Sequence, residues 1–243
     1  MWGDGVLYRI RHVLASVVGW PVIDRRHAAG WYIQGHGIEV GALHNPTPLP
    51  HGVRVRYVDR MTVEGLREQY PELASQKLVT VDVVDDGQRL CTFADSSEDF
   101  VIESHMLEHA EDPISTIENA MRVLKPGGVL LLSIPDKRYT FDKERPVTSL
   151  AHLQDDRADG GAASRESHFR EWIGVKEGLE GFDAEARLED MLATDQSIHF
   201  HVWTYQEMLE LVLFMRPKIG FEVELVARYS EEVVIVLRKA DGE

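Results

Sequence analysis

The chain has 243 residues, 41 of them Asp or Glu against 26 Lys or Arg, for a formal charge of −15 with neutral histidines. With 44% hydrophobic residues it can bury a sizeable core and lies far from the composition of disorder. The acidic balance repels phosphate backbones and excludes nucleic acid as an expected partner, and a single cysteine, Cys91, excludes an internal disulfide or a tetrathiolate zinc site. A reducing, cytoplasmic setting is expected.

In chain order, the apolar stretch 13–20 after Arg9 and Arg11 is too short to span a bilayer, and no small-residue cleavage site follows it. Residues 7–18 read as an amphipathic helix within an N-terminal helical segment, 1–36, without stable membrane insertion. Short apolar runs ending in turn residues follow at 37–41 (GIEVG), 54–59 (RVRYVD), 77–84, 99–104 (DFVIES) and 128–135 (GVLLLSIP). Helical patterns lie between them at 62–70, with Thr62 as N-cap, and at 115–124, closed by Lys125-Pro126-Gly127-Gly128. This alternation predicts an α/β, doubly wound, parallel sheet. A helix at 204–215 and two strands, 221–229 and 232–238, turning at Ser230, predict a terminal antiparallel hairpin. The acidic stretch 151–200 lacks a strand pattern and reads as helical; residues 137–200 are taken as an insertion over the carboxyl edge of the sheet, where substrates of open α/β sheets bind.

The strand ends carry the chemistry. In Gly37-Ile38-Glu39-Val40-Gly41 a strand closes on a glycine that admits a ligand to the backbone, with a carboxylate two residues earlier. Asp59, followed by Arg60, ends the next strand where a carboxylate can bind two vicinal ribose hydroxyls. The third run reaches Asp85-Asp86-Gly87, where a carboxylate can accept from an adenine amino group; a solvated turn is the alternative there. Together these ends suggest a nucleoside cofactor.

The fourth strand continues into Glu103-Ser104-His105-Met106-Leu107-Glu108-His109, then Asp112-Pro113, then Arg122-Val123-Leu124-Lys125-Pro126-Gly127-Gly128. Over residues 37–136 the chain resembles the class I S-adenosylmethionine-dependent methyltransferases, in particular the methyltransferase-11-like branch. The resemblance implies a Rossmann-like, seven-stranded, mostly parallel sheet with its last strand antiparallel, a methyltransferase domain over 37–243, and S-adenosyl-L-methionine across the strand tips. It assigns Glu39, Gly41 and Ala42 to the amino-acid end of the cofactor, Asp59 and Arg60 to the ribose, Asp86 and Gly87 to the adenine, and Ser104 and His105 to the sulfonium. One departure stands out. After Gly41 the family continues into a long helix, whereas Pro46, Pro48 and Pro50 forbid one here, leaving the methionine carboxylate to loop amides, His44 or Asn45.

Methyl transfer is an in-line displacement that needs alignment and a base to take the acceptor's proton. His105, His109, Asp136 and, in the insertion, His152, His168, His199 and His201 are the candidate bases, with His109 and His201 leading. The set Glu103-Ser104-His105-Met106 lacks the Asn-Pro-Pro-Tyr signature of nucleic-acid amino methyltransferases, so a small-molecule acceptor is expected. Phe141, Phe169, Trp172 and Trp203 with nearby carboxylates suit a sugar-containing one. O-methylation is expected, with N- or C-methylation of another metabolite as the alternative. Arg138, Lys143 and Arg145 read as solvated charges rather than an anion clamp. No metal site is expected, although His199 and His201 on one face of an extended segment invite one with Asp155, Asp156 or Glu171. Two rivals remain: a zinc peptidase, because residues 105–109 fit H-x-x-E-H, which requires them inside a long helix, and a cofactor-binding module without catalysis.

Overall fold

In the computed structural model, residues 23–241 are described. The predicted helix over 7–18 lies outside them. Helix α1 (Arg25–Tyr32) starts at Asp24, whose carboxylate accepts the His27 N–H at 3.0 Å. Strands β1 (His36–Val40), β2 (Arg54–Asp59), β3 (Val83–Val84), β4 (Glu98–Ser104), β5 (Leu124–Pro135), β6 (Phe221–Tyr229) and β7 (Glu232–Lys239) form one sheet in the order β3-β2-β1-β4-β5-β7-β6. The first five are parallel, and β7 is antiparallel to both β5 and β6. This is the expected doubly wound sheet with its terminal hairpin.

Inner strands are apolar on both faces, as burial under helices requires. Ile38, Val40, Val101, Leu130 and Leu132 meet Ile117 and Met121 of α3 (Pro113–Val123) and Leu211 and Met215 of α7 (Tyr205–Ile219). On the other face Phe100, Ile102, Leu131 and Val236 meet Ala28, Ala29 and Ile33 at α1. Each such large side chain contributes roughly 1.5–3 kcal/mol by leaving water. Helix α2 (Val63–Gln69) is capped by Thr62, as its sequence predicts.

Boundaries differ from the sequence reading at several points, while the segment after β1 agrees with it. Of the run 77–84 only Val83–Val84 joins the ladder, because this edge segment keeps Lys77, Thr80 and Asp82 in solvent and makes isolated bonds, Val79 N–H to Leu43 O (2.8 Å) and Asp82 N–H to Tyr57 O (2.9 Å). Helix α3 begins at Pro113 rather than Ser115, since Asp112 accepts the Ser115 N–H and proline fits the first helical position. Between β1 and β2 the chain forms no helix, and Asn45 N–H to Ala42 O (2.9 Å) makes a tight turn there.

Residues 137–200 contain α4 (Leu150–Asp159), α5 (Arg165–Trp172) and α6 (Gly181–Ala193), with a small core of Phe169, Leu188, Met191, Ile198 and Phe200. The stretch leaves and rejoins the sheet at one point, where Asp136 pairs with Trp203 and Lys137 N–H donates to Trp203 O (2.8 Å).

Candidate active site

The carboxyl ends of β1, β2 and β4 and the loop after β3 line a crevice that encloses about 740 Å³, its open mouth included. Gly41, Asp59, Arg60, Asp86, Gly87 and His105 form part of its wall, together with Leu43, Tyr70, Gln88, Met106, His109, Ala110 and Ser197. Gly41 has φ +67° and open space where a Cβ would stand, so its backbone is bare toward a ligand. At Gly87 a Cβ would lie 2.5 Å from Val40 Cγ1 and 2.9 Å from Met106 Cε, so only glycine lets the β3 loop close against β1 and β4.

Asp59 accepts the Arg60 N–H at 2.8 Å through Oδ1, and burial raises its pKa despite that bond. Asp86 is half-exposed at the mouth, its Oδ1 accepting from Gln88 N–H (2.9 Å). Its neighbour Asp85 builds the turn by accepting from Thr92 N–H and Oγ1 and from Asp86 N–H.

Glu39, Ala42 and Ser104 are not part of this wall. All three are buried, and the proline-bearing loop lies over two of them: Thr47 N–H donates to Glu39 Oε1 (2.8 Å), and Thr47 Oγ1 lies 3.4 Å from Ser104 Oγ. Glu39 Oε2 has no hydrogen-bond partner among the described residues, and burial raises the pKa of the group.

Where β4 ends, His105 adopts φ +53°, a left-handed backbone that costs roughly 1–3 kcal/mol in a non-glycine residue and is retained mostly at functional positions. Its ring stands between two carboxylates, Nδ1 at 3.5 Å from Glu108 Oε1 and Nε2 at 3.4 Å from Glu232 Oε1. Burial alone would lower its pKa, but the two carboxylates outweigh burial and push it up to about 10. His105 is therefore a cation at neutral pH and has no lone pair to act as a base. Glu232 comes from the first residue of β7, which antiparallel pairing with Pro135 brings to this edge; Ser133 Oγ donates to its other oxygen at 2.6 Å.

His109 has the opposite character. Burial lowers its pKa to about 4, against the pull of the Glu108 charge. Its Nδ1–H donates to Ile198 O at 2.8 Å with Ser197 Oγ at 3.1 Å, which fixes the tautomer and leaves the lone pair on Nε2. His199 packs edge-on against it, 4.7 Å between ring centres, and Nδ1 of His199 meets Asp142 Oδ2 at 2.7 Å.

The remaining candidates lie elsewhere. Asp136 is buried and doubly bonded to Arg138 (2.9 and 2.5 Å), which overcomes burial and holds its pKa low; it is a structural anion. His201 has no exposed surface and lines no part of the crevice, standing instead with His152, Asp156 and His168. His199 and His201 thus point into different clusters and do not share the site that their spacing suggests, because the backbone bonds of residues 200 and 201 to Glu108 O rotate the two rings apart. The H-x-x-E-H peptidase arrangement is also overturned, since residues 105–109 leave a strand through a left-handed residue into the single 3₁₀ turn Leu107–His109 and are in no long helix. Arg145 is not solvated. It is fully buried, pairing with Asp142 (3.1 Å) and Glu171 (2.7 Å), and it donates to His199 O and Phe200 O.

Sequence reasoning missed Glu232, Tyr70, Gln88 and Ser197. Only Glu232 had a usable signal, because placing the hairpin turn at the carboxyl edge sets the first residue of β7 beside β5.

A mostly parallel sheet of this order, with acidic strand ends around one crevice at its carboxyl edge, defines a doubly wound α/β domain. Residues 51–132 match the family model described as a methyltransferase domain. A Mycolicibacterium smegmatis protein named "Probable S-adenosylmethionine-dependent methyltransferase" is 33% identical over 87 residues, 36% of this chain and 30% of that protein. An uncharacterized protein of Methanocaldococcus jannaschii is 30% identical over 104 residues, 43% and 46% of the two chains. The matched stretches span less than half of either relative. A Rhodobacter sphaeroides structure named for Zn-dependent alcohol dehydrogenases superposes with a TM-score of 0.51 at 13% identity, covering 93% of this chain and 94% of that one, a likeness of fold alone. The likeness of the matched stretches is to S-adenosylmethionine-dependent methyltransferases, whose cofactor is S-adenosyl-L-methionine. The crevice fits that group: bare backbone at Gly41, a carboxylate at Asp59, and at Gly87 a wall with no room for a side chain. Among the described residues no helix is long and apolar enough to cross a membrane.

Proposed function

We propose that the protein methylates a hydroxyl of a small, sugar-containing acceptor at this crevice, with His109 as the base. The observation that carries the reading is the pairing of a neutral imidazole, held through Nδ1 with Nε2 free, with the acidic strand ends that line the same wall. Asp59 and Asp86 would hold the nucleoside through its ribose hydroxyls and adenine amino group, and Gly41 would bring backbone close to the chain that bears the sulfur. Bound there, S-adenosylmethionine supplies an electrophilic methyl group. The work left to the protein is to align the acceptor oxygen and take its proton. Nε2 of His109 takes that proton, and the carboxylate of Glu108 stabilises the imidazolium that forms. A base so placed is worth roughly 10²–10⁴-fold in rate.

For the acceptor, the support is the aromatic pair Phe141 and Trp172, edge-to-face at 6.0 Å beside His199, with Phe141 54% exposed. An exposed ring beside carboxylates suits the apolar face and hydroxyl rim of a sugar. Residues 137–200 act as the substrate lid, since Ser197 already belongs to the crevice wall. An acidic, single-cysteine chain of this kind fits a cytoplasmic role in glycan or natural-product assembly.

Calorimetric titration with S-adenosylhomocysteine tests the cofactor site, and no binding would leave only a scaffold. A screen of sugars and glycosides with labelled S-adenosylmethionine tests the acceptor; an N- or C-methylated product would replace the O-methyl reading. His109→Gln should lower kcat about 10²–10⁴-fold with S-adenosylhomocysteine affinity unchanged. Full turnover in that variant would remove His109 as base.

A further inference from the structure

Outside the crevice, three histidines and one aspartate converge in the insertion. His152 and Asp156 come from α4, His168 from α5, and His201 from the extended return toward the sheet. One donor atom from each lies within 4.8 Å of every other. His152 Nε2 is 3.0 Å from His168 Nε2 and 3.2 Å from Asp156 Oδ2, and His201 Nε2 is 3.5 Å from the same oxygen. Zinc–nitrogen bonds of about 2.0–2.1 Å in a tetrahedron set ligand atoms roughly 3.3 Å apart, close to the 3.0, 3.2 and 3.5 Å of these three pairs.

The polar accounting points the same way. Asp156 is 2% exposed, and the oxygen aimed into the cluster, Oδ2, has no hydrogen bond among the described residues. Its other oxygen accepts from Ser164 Oγ at 2.5 Å, the outer contact that orients a carboxylate ligand. His201 has no exposed surface; its Nδ1 has no hydrogen bond among the described residues, while Nε2, the nitrogen near Asp156, also lies 3.4 Å from Glu111 O. Three imidazoles pack edge-on, with ring centres 4.9–5.7 Å apart, and two of them, His152 and His168, share a hydrogen bond. A shared cation would use their lone pairs and the orphan oxygen at once.

We propose that His152, Asp156, His168 and His201 bind one Zn²⁺ ion as a structural site. Four protein donors close a tetrahedron and leave no position for substrate, which separates a structural from a catalytic zinc. None of the four lines the crevice. The ion would join α4 and α5 to the segment that carries Ile198 and His199, and Phe200 N–H to Glu108 O (2.8 Å) connects that segment to the loop of His109. It would therefore fix the insertion against the base loop while taking no part in the chemistry. His152, the most exposed of the four, gives the ion a way in from solvent.

Metal analysis of the full-length protein, expressed with zinc in the medium, should find about one equivalent of zinc per chain. Dialysis against a chelator should lower Tm, and Zn²⁺ alone should restore it. His168→Ala and Asp156→Asn should each cut zinc affinity at least about 100-fold, and Co²⁺ in the wild-type protein should give the visible absorption of a tetrahedral site. Wild-type protein that neither contains zinc nor takes it up on direct titration would overturn the proposal, with no variant needed. So would zinc that survives in His168→Ala/His201→Ala but is lost in His109→Gln, since the metal would then sit with Glu108, His109 and His199.

Discussion

The strand-tip half of the molecule and the inserted half hold their polar groups in opposite ways. At the tips of β2 and β3 the carboxylates stand on strand ends and meet neighbours close in sequence, Asp59 with Arg60, Asp85 with Thr92 and Asp86 with Gln88, and Asp59 and Asp86 face the crevice. In the insertion the buried guanidinium of Arg145 bonds to residues 26 and 54 positions away. A site built on ends of a regular sheet keeps its geometry without help from the ligand. The inserted layer has only a small apolar core, and ionic contacts carry much of its order. The comparison teaches that substitutions in the first half should cost binding, and those in the second should cost folding.

The sharpest way to break that contrast is Arg145→Met. The guanidinium is buried and neutralises Asp142 and Glu171, so its removal strands two carboxylates and frees the carbonyls of His199 and Phe200. Breaking a buried pair from one side costs about 3–5 kcal/mol. Denaturant unfolding should show that loss, with early proteolysis between residues 137 and 200. A variant within 1 kcal/mol of wild type, on the scale of an exposed pair, would mean that the insertion stands on its core alone.

The matching test on the other side is Asp59→Ala. A charge-assisted hydrogen bond is worth about 1.5–3 kcal/mol, so S-adenosylhomocysteine should bind about 10- to 100-fold more weakly while Tm changes little. Unchanged affinity by calorimetry would show that the ligand does not use the β2 tip. If Tm fell as much as in Arg145→Met, the two halves would not differ in the way described.

How far each half was legible follows from the same distinction. Strand ends are local features, so Gly41, Asp59, Asp86, Gly87 and His105 were found from runs of a few residues, and the terminal hairpin from its turn. Glu39 and Ser104 were correctly placed on their strands, but the proline loop that covers them is a tertiary event no periodicity encodes. His199 and His201 sit two residues apart and invite a shared site, yet backbone bonds to Glu108 O send them into different clusters. The protonation states were illegible for a stronger reason. His105 and His109 share one turn, and the pKa of the first is raised by Glu108 from the same turn together with Glu232 from the far end of the chain.

Those protonation states give the smallest and most specific effects. His109 titrates near 4 when folded and about 6.5 when unfolded, so the unfolded chain takes up the proton first, and this group's stabilisation falls as pH drops from about 6.5 toward 4. Glu103 is fully buried, its pKa raised from 4.5 to about 8 by desolvation alone, so the unfolded chain ionises first and stability falls as pH rises from about 4.5 to 8. His105, raised to about 10, adds stability that is complete below about 6.5 and lost as pH climbs toward 10. Between pH 4.5 and 6.5 His109 and Glu103 act in opposite directions, and the variants separate them. Glu103→Gln should gain stability relative to wild type with rising pH up to about 8, and His109→Gln should gain it with falling pH below about 6.5, each by at most about 1.4 kcal/mol per pH unit. His105→Gln should flatten only the alkaline limb. Unfolding free energies measured from pH 4 to 10 check all three, and parallel curves for wild type and Glu103→Gln would show that this carboxyl is ionised inside the folded sheet.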